Sequence, residues 1–193
     1  IEELQVKGPT VMKGYGKRPD ATAEVFTEDG WFRTGDQADL SDAGRIRIKG
    51  RIKEIIVTST GEKIPPTDME LAIQTDPLFE QVMVVGEARP FITALAVVNE
   101  AEWEKFAKEF NVDPSDDRML MRRDIRMAAL KRLKKAASRF PQYGIPRNIR
   151  LLKEHWTVDN GCLTVTMKLR RPIIREKLRA EIDELYTVPQ NNV

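Results

Sequence analysis

The alternation of apolar and polar positions changes character twice along the chain. Over residues 1–49 it is short and two-fold. Leu4-Gln5-Val6-Lys7 alternates up to Gly8-Pro9, and Arg45-Ile46-Arg47-Ile48-Lys49 alternates between Gly44 and Gly50. Period two punctuated by glycine predicts strands and turns. Pro19-Asp20-Ala21-Thr22-Ala23-Glu24 interrupts them as a short helix with proline near its first turn, and Asp42-Ala43-Gly44 reads as a hairpin turn. So few strands do not close a core, so this stretch is expected to belong to a larger sheet or barrel.

From Arg51 the pattern is mixed. Glu54–Val57 and Glu62–Ile64 read as strands around a turn, Thr58-Ser59-Thr60-Gly61, and Pro65-Pro66-Thr67-Asp68 opens a helix to Gln74 with Met69 and Ile73 one turn apart. Gln81–Gly86 and Thr93–Val98 are near-continuous apolar runs, which predicts two buried strands of one sheet. After Glu100 helices dominate. One is expected over Ala101–Phe110 and a longer one over Asp117–Phe140, with Met121, Ile125, Ala128, Leu133, Ala136 and Phe140 as its apolar stripe. A strand, Asn148–Leu152, and a helix, Pro172–Tyr186, complete the pattern, and the polar tail Val188–Val193 is expected to fray. The class is α+β.

Composition narrows the function. Of 193 residues, 32 are basic and 30 acidic, a net charge of +2 that argues against a protein held to nucleic acid by electrostatics. The Lys131-Arg132-Leu133-Lys134-Lys135 cluster then reads as a solvated helix face. One cysteine, Cys162, excludes an intrachain disulfide and a cysteine metal cluster, and one histidine, His155, makes a histidine-dependent nucleophile improbable. No apolar run is long enough to span a bilayer. The chain opens on Ile1 inside a strand-like stretch, and a longer parent is expected.

Chemistry concentrates in Gly30-Trp31-Phe32-Arg33-Thr34-Gly35-Asp36 and Gly50-Arg51-Ile52-Lys53-Glu54, two segments expected to be rich in turns. A carboxylate there can accept from two vicinal hydroxyls, and a guanidinium can fork onto hydroxyl or phosphate oxygens, which suits a sugar-phosphate ligand. Two hairpin turns with solvated charges are the competing reading of either segment alone.

Four motifs in order resemble the carboxyl-terminal part of an AMP-forming acyl-CoA synthetase. They are Gly14-Tyr15 with Arg18-Pro19-Asp20-Ala21-Thr22; Asp29 through Asp36; Gly50 through Glu54; and Leu163-Thr164-Val165-Thr166-Met167-Lys168-Leu169-Arg170-Arg171. The last is similar to Leu-Thr-Pro-Thr-(Leu/Met)-Lys-Leu-Lys-Arg of the long-chain fatty acid–CoA ligases, with Val165 in place of proline. The resemblance implies two steps: a carboxylate attacks ATP to give acyl-adenylate and pyrophosphate, and CoA then displaces AMP. It implies that Asp36 holds the ribose hydroxyls and that Arg51 assists at ribose or phosphate. Lys53 falls at the hinge about which the small domain rotates, and Lys168 at the lysine of the adenylation step. Ser59, Thr60 and Gly61 match the turn lining the pantetheine tunnel, with Thr60 where the family has glycine.

The expected organisation is therefore 1–50 as the end of a large domain's β-barrel subdomain and 51–193 as a small mobile α+β domain. ATP or AMP, CoA and a fatty acid are the expected ligands of the parent enzyme. Mg²⁺ is expected outside this chain, which carries no metal site of its own and is expected to be inactive alone. The resemblance implies a cytoplasmic enzyme, with peripheral membrane association open and no nucleic-acid partner. Two alternatives stand beside it: an adenylating enzyme that loads a carrier-protein thiol, and a non-enzymatic module binding nucleic acid or membrane through the basic helix.

Overall fold

The computed structural model describes residues 3–42 and 44–187, and the chain divides into two compact units, Ile1–Ile55 and Ile56–Val193. The centre of the expected 42–44 hairpin turn, Ala43, and the tail Val188–Val193 lie outside the described residues.

In the first unit β1 (Glu3–Val6), β2 (Phe32–Asp39) and β3 (Arg47–Arg51) form an antiparallel sheet in that order, and α1 (Pro19–Val25) lies between β1 and β2 in sequence. The expected turn over residues 30–36 is instead mostly strand. Gly35 sits within β2 at φ +73°, a backbone conformation that glycine adopts without a Cβ clash, so pairing continues through it. A register shift between Gln37 and Ala38 marks a bulge, and β3 starts two residues later than the alternation suggests. Among the described residues of this unit Ile55 alone is buried, and Leu40, Ile46 and Ile48 stay exposed.

The second unit is built on a three-stranded sheet. β6 (Phe79–Val85) pairs antiparallel with β7 (Thr93–Val98), which pairs parallel with β8 (Ile149–Leu152). Successive side chains of a strand point to opposite faces, so a sheet covered on both sides needs continuous apolar runs. Val82, Val84, Ala94, Ala96, Ile149 and Leu151 join one core cluster, and Met83, Val85, Leu95 and Val97 join the other. The first cluster is completed by α2 (Pro66–Ile73), α3 (Glu100–Glu109) and α4 (Arg123–Ala136), through Met69, Ile73, Trp103, Phe106, Ile125 and Leu133. The second is completed by α5 (Arg171–Lys177), α6 (Arg179–Thr187) and the segment carrying Trp156, Cys162 and Leu163. A short ribbon, β4 (Ile56–Val57) with β5 (Lys63–Ile64), precedes α2.

Two long helices of the sequence reading are each broken. Residues 117–121 form a 3₁₀ turn whose start is capped by Asp116, and α4 begins after Arg122, which is extended at ψ 133° with its guanidinium on Asp124. Its buried stripe is Ile125, Ala129, Leu130 and Leu133; Ala128 is only partly buried and Met121 is exposed. The final helix breaks at Leu178 (φ −109°, ψ 29°) into α5 and α6. Periodicity alone does not reveal such breaks, because the apolar spacing continues through them.

Candidate functional site

Asp36 and Arg51 face each other across β2 and β3 as a cross-strand pair. The Arg51 Nε lies 3.2 Å from Asp36 Oδ1, and Arg51 Nη1 donates to the Thr34 carbonyl at 2.7 Å. That second bond fixes the plane of the guanidinium, and Gly35 makes room for it: a Cβ there would stand 3.1 Å from Nη1. The other side of β2 is tied down as well. Gly35 N–H donates to Glu3 Oε1 at 3.0 Å, and Thr34 Oγ1 donates to the Leu4 carbonyl at 2.7 Å. The result is a partly exposed carboxylate beside a guanidinium held by backbone, a pairing suited to hydroxyl and phosphate oxygens together. Lys53 is exposed in the 3₁₀ turn Ile52–Glu54, directly after β3.

In the second unit the Ser59-Thr60-Gly61 turn joins β4 to β5. Thr58, which the sequence marks only as the first residue of the turn, organises it. Its buried hydroxyl lies 2.8 Å from Thr60 Oγ1 and accepts from Glu62 N–H at 3.1 Å, while its carbonyl accepts from Gly61 N–H at 3.0 Å. The Thr60 hydroxyl is thereby engaged inside the turn. Gly61 has φ +84° with open space where a Cβ would stand, so its backbone angle, not crowding, requires glycine here. Ser59 N–H donates to the Arg89 carbonyl at 2.9 Å, which anchors the turn to the loop after β6.

Lys168 is exposed on a separate turn closed by an antiparallel bridge between Leu163 and Leu169. Thr164 N–H donates to the Lys168 carbonyl at 2.9 Å, and Lys168 N–H donates to Thr164 Oγ1 at 3.1 Å. Met167 adopts φ +61°, an uncommon angle for a side chain of its size, and Val165 is 85% exposed at the tip. The structure thus brings Asp36 and Arg51 together in the first unit. It gives Ser59–Gly61 and Lys168 to two different turns of the second.

A residue the sequence reading missed lies behind the Lys168 turn. Glu70 on α2 is buried and receives both Arg171 Nη1 and Nη2, at 2.7 and 2.6 Å. Nothing in a single sequence marks a glutamate on an amphipathic helix as the partner of an arginine 101 positions away. His155 lies 3.2 Å from Glu80, and Trp156 and Cys162 are buried in the second core cluster. Among the described residues no three His, Cys, Asp or Glu side chains group as candidate metal ligands.

A family profile described as the AMP-binding enzyme C-terminal domain matches residues 53–189, most of the chain. The chain belongs to this family. A long-chain fatty acid–CoA ligase of Mycobacterium tuberculosis is 35% identical over 192 residues, which cover 95% of this chain and 31% of the relative. A chloroplastic long-chain fatty acid–acyl-carrier-protein ligase of Arabidopsis thaliana is 33% identical over 95% of this chain and 25% of its own length. Among solved structures, the adenylation domain of a carboxylate reductase from Mycobacterium chelonae superposes with a TM-score of 0.82 at 28% identity, covering 96% of this chain and 28% of that one. This chain therefore spans less than a third of the length of these proteins. The fold is the mixed α/β arrangement of adenylate-forming enzymes.

Proposed function

We propose that this chain is the carboxyl-terminal part of an AMP-forming long-chain fatty acid–CoA ligase. The observation that carries the reading is the match of 95% of the chain to such a ligase at 35% identity. In the first step a fatty-acid carboxylate oxygen attacks the α-phosphorus of ATP, the bond to the β-phosphate oxygen breaks, and pyrophosphate leaves. Lys168 carries an ammonium on an exposed turn, where it stabilises the negative charge shared between carboxylate and α-phosphate as the anhydride forms. Asp36 holds the ribose hydroxyls and Arg51 the neighbouring oxygens. In the second step the CoA sulfur attacks the acyl carbon, the thiol proton is lost and AMP departs. Ser59–Gly61 then lines the passage for the pantetheine arm, and Lys53 is the pivot that exchanges the two arrangements. Lys53 stands two residues before the end of the first unit, in a single-turn helix that a φ/ψ change can reopen cheaply.

The test is direct. The parent enzyme should release pyrophosphate from ATP only when a long-chain fatty acid is present, and AMP should follow on addition of CoA. The isolated 193-residue chain should do neither. Pyrophosphate release without fatty acid, or acyl-CoA formation by this chain alone, would contradict the reading. A second reading, transfer to a carrier-protein phosphopantetheine, is favoured by the acyl-carrier-protein ligase among the relatives. Turnover with carrier protein exceeding turnover with CoA would select it.

A further inference from the structure

We propose that Glu70 is a positioning residue for Lys168, acting through Arg171, so that one buried carboxylate sets the geometry of the adenylation step. The inference rests on the reading of Lys168 given above and extends it to residues that nothing yet assigns a role.

Arg171 opens α5, three positions after Lys168, and the backbone between them is already stiff. Arg170 N–H donates to the Cys162 carbonyl at 2.8 Å, beside the Leu163–Leu169 bridge. Whatever orients Arg171 therefore orients the base of the turn. Glu70 does this with both oxygens: Oε1 accepts Nη1 at 2.7 Å and Oε2 accepts Nη2 at 2.6 Å. A two-point match of planar groups fixes an angle as well as a distance, which a single ion contact does not. The carboxylate is itself held. Oε1 also accepts from Val84 N–H, at 2.7 Å, on β6, an edge strand of the sheet.

Burial separates positioning from simple stabilisation. The side chains of Arg171 and Glu70 are 16% and 7% exposed. Desolvation of such a pair offsets much of its attraction, and apolar replacements of equal volume are often as stable, so a buried pair is weak as a stabiliser. What it does supply is a unique geometry. The tip of the turn adds little packing of its own, since Val165 and Met167 are 85% and 68% exposed. The same α2 follows directly from β5 and the Ser59–Gly61 turn, so the clamp ties the base of the Lys168 turn to the helix that follows that turn.

The test uses the parent enzyme and measures the two half-reactions separately in Glu70→Gln, Arg171→Lys, Lys168→Ala and the Glu70→Gln/Lys168→Ala double variant. Glutamine keeps the volume, the bond from Val84 and one bond from Arg171. The expected result for Glu70→Gln is a loss of about tenfold or more in kcat for pyrophosphate release, with KM for ATP and fatty acid within about twofold. Thioester formation from supplied acyl-adenylate should stay within about twofold, which also shows the variant is folded. Arg171→Lys, which keeps the charge and loses the fork, should show the same split, and it reads the clamp if Glu70→Gln fails to fold. In the Lys168→Ala background Glu70→Gln should add no further loss, because two residues acting through one group are not additive.

Normal pyrophosphate release by Glu70→Gln, equal losses in both half-reactions, or a further loss in the double variant would each overturn the clamp while leaving Lys168 in its role. Normal pyrophosphate release by Lys168→Ala would instead overturn the lysine reading, and the clamp with it.

Discussion

Asp36 and Arg51 show how much a pair of residues gains from its backbone. Each lies on a strand where the sequence suggested turns, and the cross-strand register sets them side by side. The motifs singled both out; their pairing was not legible, because it depends on a bulge between Gln37 and Ala38 that no alternation reveals. Replacing either with alanine removes a charge-assisted contact of about 1.5–3 kcal/mol, so AMP affinity of the parent enzyme by calorimetry should fall about ten- to a hundredfold. Gly61 makes the complementary point. Nothing crowds its Cβ position, so Gly61→Ala tests backbone angle alone and should cost roughly 1–2 kcal/mol in thermal unfolding. The pairing of Glu70 with Arg171 was beyond sequence reasoning, since a long-range partner leaves no local trace.

At the scale of elements the sequence reading succeeded where burial was two-sided. The runs over β6 and β7 are apolar at nearly every position because helices cover both faces of that sheet. It failed at helix breaks, where Arg122 and Leu178 interrupt a periodicity that continues on either side. Two measurements probe how the elements hold together. Trp103 of α3 is fully buried, with Nε1 donating to the Pro114 carbonyl at 2.9 Å, so Trp103→Ala should destabilise the second unit by about 3–5 kcal/mol in denaturant unfolding.

The Asp76–Arg132 pair joins the loop after α2 to α4, at 2.6 and 2.9 Å. Burial works to raise the Asp76 pKa. The Arg132 hydrogen bond, the Leu78 N–H and the nearby positive charges outweigh it and hold the carboxyl below its ordinary value. A group depressed in the folded state stabilises above its unfolded pKa and loses that contribution as pH falls through the folded value. Asp76→Asn should therefore cost about 1–2 kcal/mol at neutral pH. The difference from wild type should shrink as pH drops below about 4, read from melting curves across pH.

At the scale of the molecule, the residues proposed for the two steps fall on two compact units. Lys53→Pro keeps the fold of a single 3₁₀ turn while fixing the backbone angle that a pivot must change. In single-turnover experiments on the parent enzyme this variant should form acyl-adenylate normally and pass it to CoA at least about tenfold more slowly, whereas normal transfer would remove Lys53 from the hinge. The most direct test of the account remains the lysine. Fatty-acid-dependent pyrophosphate release by Lys168→Ala in the parent enzyme should fall by two orders of magnitude or more, about 2.7 kcal/mol of lost transition-state stabilisation, with thioester formation from supplied acyl-adenylate intact. Pyrophosphate release at the wild-type rate would contradict it.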